Sequence, residues 1–192
     1  MWFHKLKKGF TLIELLVVIA IISLLSTIVM AALNNSRIKA RDTQRVAQIK
    51  ELQKAIEAYT SDHGYPPICT LSKNNNQTWC GSCDASEAII NFNAALQPLV
   101  NEKYISKIPL DPNITGNCMA YEYYTLPNTG YVSGNNWYCK DSTNNYQYLM
   151  DYSYAIRFST EKNKFSGFLT FMWNRTPGSN GQEYCVLGQK IR

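Results

Sequence analysis

Between Phe10 and Ser61 the sequence contains neither proline nor glycine, the two residues that interrupt helices most strongly. We therefore predict one helix over this stretch, about 78 Å long at about 1.5 Å per residue. Charge is also scarce at its start, because residues 12–33 carry only Glu14. This mainly apolar run of 22 residues corresponds to about 33 Å of helix, which is enough to cross a bilayer.

Sequence patterns that carry catalysis are missing as well. The chain has two histidines, one of which, His4, precedes the apolar run. It has no G-x-S-x-G nucleophile motif and no glycine-rich phosphate loop. These absences argue against a serine hydrolase and against a P-loop enzyme. We expect no enzyme activity, no catalytic residue, no metal and no cofactor.

Cysteine is absent from the first 68 residues, and six cysteines follow. Disulfides form in oxidising compartments, so we expect this later part of the chain to lie outside the cytoplasm. The sequence does not say which cysteines pair. The disulfide candidates are Cys69, Cys80, Cys83, Cys118, Cys139 and Cys185.

The string Cys80-Gly81-Ser82-Cys83 leaves two minor alternatives open. A thioredoxin-like redox motif follows a strand and opens a helix, and no strand is evident before Cys80. A zinc site needs a second pair of ligands, and His63 is the nearest histidine. We therefore favour disulfides that stabilise a loop-rich domain.

A basic segment meets the apolar run at a single glycine. Three lysines precede Gly9, and the sequence Lys-Gly-Phe-Thr-Leu-Ile-Glu-Leu-Leu-Val-Val-Ile-Ala-Ile-Ile begins at Lys8. A secretory signal peptide places its cleavage site after the apolar core, whereas Gly9 lies before it. This long, gap-free pattern resembles the class III leader of type IV pilins and type II secretion pseudopilins.

The resemblance implies a processing site and an assembly site. A membrane-embedded prepilin peptidase would cut after Gly9 and methylate the amine of Phe10. Loss of residues 1–9 would lower Lys+Arg from 19 to 16 against 14 Asp+Glu, which leaves a net charge of +2. Many pilins have a proline in the middle of this helix, and Ala31 stands at that position here.

Glu14 has two interpretations. The resemblance implies that its carboxylate neutralises the N-terminal ammonium of a neighbouring subunit in a filament. The alternative is an interfacial acid that the dipole at the start of the helix stabilises.

Beyond the apolar run, apolar residues recur at helical spacing from Val46 to Tyr59, and Gly64 followed by two prolines ends the pattern. The strings at 59–66, 104–112 and 121–123 resemble segments of major pseudopilins. We predict a short helix at 87–100 and a half-buried strand at 152–158, where apolar and polar residues alternate.

The predicted fold class is α+β and type IV pilin-like. A long N-terminal helix, half transmembrane, carries an antiparallel β-sheet head on its C-terminal half. The predicted domains are a leader at 1–9, a hydrophobic transmembrane and assembly half of the helix at 10–34, its amphipathic half at 35–62, and an extracytoplasmic head at 63–192.

Two further possibilities concern the head. Calcium can bind acidic and amide oxygens, although a solvated turn at 141–145 is the favoured interpretation; the possible ligands are Asp141, Asn144, Asn145 and Asp151. Tryptophans and 13 tyrosines raise the possibility of stacking against DNA or a surface ligand.

We expect a structural subunit of a type IV pilus-like filament. Its partners would be copies of itself or related pilins, the prepilin peptidase, an inner-membrane assembly platform and, before assembly, the membrane. The precursor would cross the inner membrane once, and the assembled protein would lie in a cell-surface or extracellular filament. The alternatives are a type II secretion pseudopilin and a minor pilin that binds DNA or a surface ligand.

Overall fold

A computed structural model shows the architecture of most of the chain. It describes residues 9–69, 79–80, 85–113, 121–125, 138–141, 143, 145–148, 152–162, 164–172 and 183–190. The chain divides into two compact units, the first of which ends at Ile38 and the second of which begins at Lys39.

The first helix, α1, runs over Leu12–His63. The predicted long helix is confirmed, and the absence of proline and glycine accounts for its length. In the second unit, one face of α1 is buried with the spacing that the sequence predicts. The buried residues of that face are Asp42, Arg45, Ile49, Leu52, Ala55, Ile56 and Tyr59.

The predicted end of α1 is also confirmed. Gly64 follows His63 with φ of +79° and donates its N–H to the carbonyl of Thr60 at 2.8 Å. Glycine adopts this left-handed conformation without a Cβ clash, and Pro66 and Pro67 then prevent the helix from resuming.

The second helix, α2, spans Ala85–Asn101 and therefore extends slightly beyond the predicted 87–100. Phe92, Leu96 and Leu99 are buried and pack with α1 and the sheet in the main core. Pro98 lies within the helix, and its carbonyl still accepts the N–H of Glu102 at 3.0 Å.

Seven antiparallel strands form one sheet among the described residues, in the order β1-β2-β5-β7-β6-β3-β4. In chain order they are β1 Trp79–Cys80, β2 Glu122–Thr125, β3 Tyr138–Lys140, β4 Tyr146–Tyr148, β5 Tyr154–Ser159, β6 Leu169–Met172 and β7 Glu183–Leu187. The α+β architecture is thus confirmed: a long apolar helix precedes an antiparallel sheet, which packs on the C-terminal half of α1.

The prediction of a half-buried strand at 152–158 is wrong in two respects. The strand starts at Tyr154, whereas Tyr152 forms an isolated bridge with Lys190. Both faces of β5 are buried: Tyr154 joins the main core, and Ala155 joins a second cluster with Cys139 and Cys185. Alternating polarity did not predict this second cluster, because its members come from strands that are distant in sequence.

The expectation that no strand precedes Cys80 is also wrong. Cys80 ends β1, whose two residues pair with Tyr123 and Tyr124 of β2. A redox motif of the thioredoxin type belongs to an α/β unit, whereas this short strand is the antiparallel edge of the sheet.

Candidate functional site

The segment that begins α1 holds its polar side chains in a reciprocal arrangement. The backbone N–H and the hydroxyl of Thr11 donate to Oε2 of Glu14, at 2.8 and 2.7 Å. The N–H of Glu14 in turn approaches the hydroxyl oxygen of Thr11 at 3.3 Å. This is a capping box, in which two side chains satisfy N–H groups that the helix leaves open.

The capping box leaves part of the carboxylate available. Both bonds from Thr11 end on Oε2, and no described residue donates to Oε1 of Glu14. The neighbouring Phe10 is 79% exposed, and Glu14 is exposed as well. The start of α1 therefore presents one carboxylate oxygen and one aromatic ring to an external partner.

Gly9 precedes this segment and has no role in the fold that the structure reveals. A Cβ built at this position would meet no atom within 4 Å, and its φ lies outside the left-handed region. Neither packing nor backbone conformation therefore demands a glycine here.

The apolar part of α1 is exposed along its length. Large side chains such as Phe10, Leu24 and Met30 are more than half exposed, and none of the most apolar window is buried. By length and composition this helix can cross a membrane. In water so large an apolar surface is unfavourable, so it needs lipid or protein partners.

Three hydroxyl side chains lie within the apolar stretch. Those of Ser23 and Ser26 donate to the carbonyls of Ile19 and Ile22, each at 2.7 Å. Thr27 bonds the carbonyl of Leu24 in the same manner, also at 2.7 Å. These local bonds satisfy the hydroxyls within the helix, which lowers the free-energy penalty of placing them in an apolar medium.

A buried ion cluster connects α1 to two loops of the head. Arg45, which is fully buried, donates to both carboxylate oxygens of Asp111 at 2.9 Å. It also donates to Asp42 at 2.8 Å and to Glu161 at 3.0 Å. Burial alone would lower the pKa of Arg45, but the hydrogen bonds to Asp111 more than offset this effect, so the guanidinium stays charged.

The same cluster orders the backbone of both loops. Asp42 accepts the N–H groups of Glu161 and Lys162 at 2.8 and 3.2 Å, and Asp111 accepts that of Asn113 at 2.8 Å. Arg41 forms a bidentate pair with Glu161 at 2.6 and 2.5 Å. The cluster thereby fixes where the head loops lie along α1.

Two segments that resemble pseudopilin sequences meet at the end of α1. The hydroxyl of Tyr104 donates to Asp62 at 2.6 Å, and its ring lies 5.6 Å from that of Tyr59, edge to face. Tyr121, from the third such segment, donates to Gln48 of α1. The three segments therefore all contact α1.

The structure joins Cys139 of β3 to Cys185 of β7, with a Cα–Cα distance of 6.3 Å. Strand β6 lies between these two strands, so the bridge connects strands that are not hydrogen-bonded neighbours. Cys69 is also disulfide-bonded. The candidates Cys83 and Cys118 lie outside the described residues, as does the side chain of Cys80.

The favoured interpretation of the 141–145 segment is a turn, and a turn connects β3 to β4. Oδ1 of Asp141 accepts both the N–H and the hydroxyl of Thr143 and also the N–H of Asn145, at 2.6 to 2.9 Å. The bond from the Thr143 hydroxyl is the main cause that holds the pKa of Asp141 below its ordinary value. The other calcium candidates, Asn144 and Asp151, lie outside the described residues.

Sequence reasoning missed two of these features. The capping box was readable as Thr-x-x-Glu ahead of an apolar run, a pattern that predicts a helix start. The ion cluster had a weaker signal: Asp42 and Arg45 continue the spacing of the buried stripe that Ile49 begins. Their partners Asp111 and Glu161 carry no local signal.

Comparison with known proteins places these features in a family. Residues 4–30 match the prokaryotic N-terminal methylation motif. The type II secretion system core protein G of Escherichia coli is 30% identical over 107 residues, which are 55% of this chain and 66% of that protein. No solved structure matches the chain significantly.

Two pilus proteins are similar over shorter stretches. A fimbrial protein of Neisseria meningitidis is 32% identical over 84 residues, 44% of this chain and 45% of that protein. The type IV wide pilus major component PilA4 of Thermus thermophilus is 45% identical over 56 residues, 29% of this chain and 43% of that protein. In all three cases the match spans less than two thirds of the relative. The methylation motif, the exposed apolar helix behind it and these relatives agree, and the chain belongs to the type IV pilin and pseudopilin family.

Proposed function

We propose that this protein is a structural subunit of a type IV pilus-like filament, cut after Gly9 by a prepilin peptidase and assembled through α1. The observation that carries the proposal is the exposed carboxylate of Glu14 at the start of a fully exposed apolar helix. Such a helix requires lipid before assembly and neighbouring helices afterwards. The family is one of structural subunits, which agrees with the expectation of no enzyme activity.

Glu14 is the proposed point of contact between subunits. A carboxylate within an apolar span is unfavourable by roughly 2–4 kcal/mol unless it is paired. Cleavage would create an ammonium at Phe10, and the Phe10 amine of an incoming subunit would pair with Glu14. The free Oε1 supports this proposal, because the carboxylate can accept an ammonium without giving up the bonds from Thr11.

The proposed domain organisation follows from this function. Residues 1–9 would be a leader absent from the mature protein, 10–34 the membrane and assembly half of the helix, 35–62 its amphipathic half, and 63–192 the extracytoplasmic head. The precursor would reside in the inner membrane and then enter the filament through an assembly platform. The disulfide between Cys139 and Cys185 supports a head in an oxidising compartment.

Processing is tested by mass spectrometry of the protein in assembled filaments. We expect Phe10 at the N-terminus, with a methylated amine. Gly9→Leu should remain a full-length membrane precursor, because the peptidase would not accept the bulkier residue. The side chain of that leucine meets open space, so protease resistance of the head should equal that of the wild type. Residues 1–9 retained in filaments would contradict the proposal.

A type II secretion pseudopilin is the second candidate. It is favoured by the match to the E. coli core protein G, which spans 107 residues and thus extends beyond the N-terminal helix. The contacts of Tyr104 and Tyr121 with α1 agree with it, since both belong to segments that resemble pseudopilins. Deletion of the gene distinguishes the two functions: loss of surface filaments indicates a pilus, and loss of protein export indicates a secretion system.

The third candidate, a minor pilin that binds DNA or a surface ligand, rests on the aromatic residues of the head. The side chains of Trp79, Trp137 and Trp173 lie outside the described part of the structure.

A further inference from the structure

Both ring nitrogens of His63 face hydrogen-bond acceptors. Nδ1 lies 3.0 Å from the backbone carbonyl oxygen of Tyr59, and Nε2 lies 3.1 Å from Oε2 of Glu102. A neutral imidazole carries a single N–H and can donate to only one of these oxygens. The protonated ring has two N–H groups and satisfies both. The geometry therefore matches the charged form of the histidine.

The surroundings of His63 on α1 also favour a positive charge. It is the last residue of the helix, where the unpaired carbonyl groups carry partial negative charge. Its ring stacks on that of Tyr59, with centroids 4.0 Å apart and planes 10° from parallel, and an aromatic face attracts a cation. The edge of the Tyr65 ring lies nearby, with centroids 6.2 Å apart.

The end of α2 holds Glu102 in place. The N–H of Tyr104 bonds the carbonyl of Leu99 at 2.8 Å, and the N–H of Lys103 bonds that of Val100 at 3.1 Å. With Lys103 at a φ of 66°, these two bonds form the Schellman motif that ends many helices. The motif fixes Glu102 opposite His63 and Tyr104 opposite Asp62.

The groups around His63 differ in how they respond to pH. The hydrogen bond to Asp62 raises the pKa of Tyr104 to about 12, and burial raises the pKa of Tyr59. Both tyrosines therefore keep their protons between about pH 5 and 8, the interval in which histidine is the residue type that changes charge. Asp62, Glu102 and the neighbouring Lys103 are the other charged groups of this cluster.

We propose that His63 and Glu102 form a proton-dependent clasp, which joins the C-terminal ends of α1 and α2 when His63 is protonated and opens when it loses its proton. The pair needs a charged histidine and an ionised glutamate. Its contribution to stability is therefore largest between about pH 5 and 6 and is lost as the pH rises towards 8. The clasp holds the exposed segment from Tyr65 onward more firmly in acidic surroundings.

Thermal unfolding of the full-length protein in detergent micelles tests the clasp. Glu102→Gln should lower the melting temperature by about 2 °C near pH 5.5 and by less than about 1 °C near pH 8. Tyr104→Phe is the matched control, because it removes a hydrogen bond of the same cluster without removing a charge. Its effect should be equal at both pH values. An equal effect of Glu102→Gln at both pH values, or none near pH 5.5, would overturn the proposal.

Hydrogen exchange in the wild-type protein provides a test that needs no variant. The amide of Gly64 bonds the carbonyl of Thr60 next to the clasp. After correction for the intrinsic rate, its protection should fall about threefold between about pH 5.5 and 8. Protection that does not change over this interval would overturn the proposal even if Glu102→Gln failed to fold.

Discussion

Thr11 and Glu14 stabilise the first turn of α1 through three hydrogen bonds that run in both directions. The carboxylate therefore has a local role as a helix cap in addition to the proposed role in pairing subunits. The two roles can be separated, since glutamine caps a helix almost as glutamate does but carries no charge.

We predict that Glu14→Ala and Glu14→Gln both reduce filament yield by about tenfold or more at equal levels of membrane precursor. Membrane insertion, cleavage after Gly9 and head folding should persist, because none of them needs the charge. The measurement is the amount of sheared filament relative to membrane-bound protein. Normal yield from Glu14→Gln would assign the residue to capping alone.

Arg45 should be the most sensitive charged residue of the head. Arg45→Met leaves buried carboxylates at Asp42 and Asp111 without their cation, so we expect a loss of about 3–5 kcal/mol in the free energy of unfolding. Arg41→Met is the matched control: it is partly exposed and pairs only with Glu161 in the ion cluster, so a loss of about 1 kcal/mol is expected. Urea unfolding of the micelle-solubilised chain measures both. Similar losses would contradict the central role of Arg45.

Acid should weaken the same cluster. The hydrogen bond from Arg41 is the main cause that holds the pKa of Glu161 below its ordinary value of 4.5. Because the folded-state pKa is the lower one, the stabilisation is complete above about pH 5 and is lost as the pH falls through the folded-state value. Melting temperatures between about pH 3 and 6 should show a steeper acid decline for the wild type than for Glu161→Gln. Parallel curves would contradict this linkage.

Lys103 adopts a left-handed conformation that favours glycine. Its φ of 66° is the sole positive value among the described residues other than glycine. We predict that Lys103→Gly stabilises the protein by about 0.5–1 kcal/mol, because it removes the Cβ strain at the end of α2. Lys103→Ala retains that strain and should leave the free energy of unfolding nearly unchanged. A gain from alanine equal to that from glycine would indicate that the lysine charge, not its backbone, is responsible.

The sequence by itself determined the features that depend on local order along the chain. An uninterrupted stretch from Phe10, apolar spacing from Val46 and a glycine at position 64 predict α1 and its end, because helix formation and termination depend on residues within one or two turns. The Lys-Gly-Phe-Thr-Leu-Ile-Glu pattern likewise predicts the family, and relatives confirm it.

Only the tertiary structure decided which distant residues meet. Asp111 and Glu161 lie 66 and 116 positions from Arg45, and Cys139 lies 46 positions from Cys185. Many such pairings are compatible with one sequence, and the order of strands in the sheet selects among them. The same reason explains why both faces of β5 are buried although its sequence alternates: the cover on the second face comes from β2, β3 and β7.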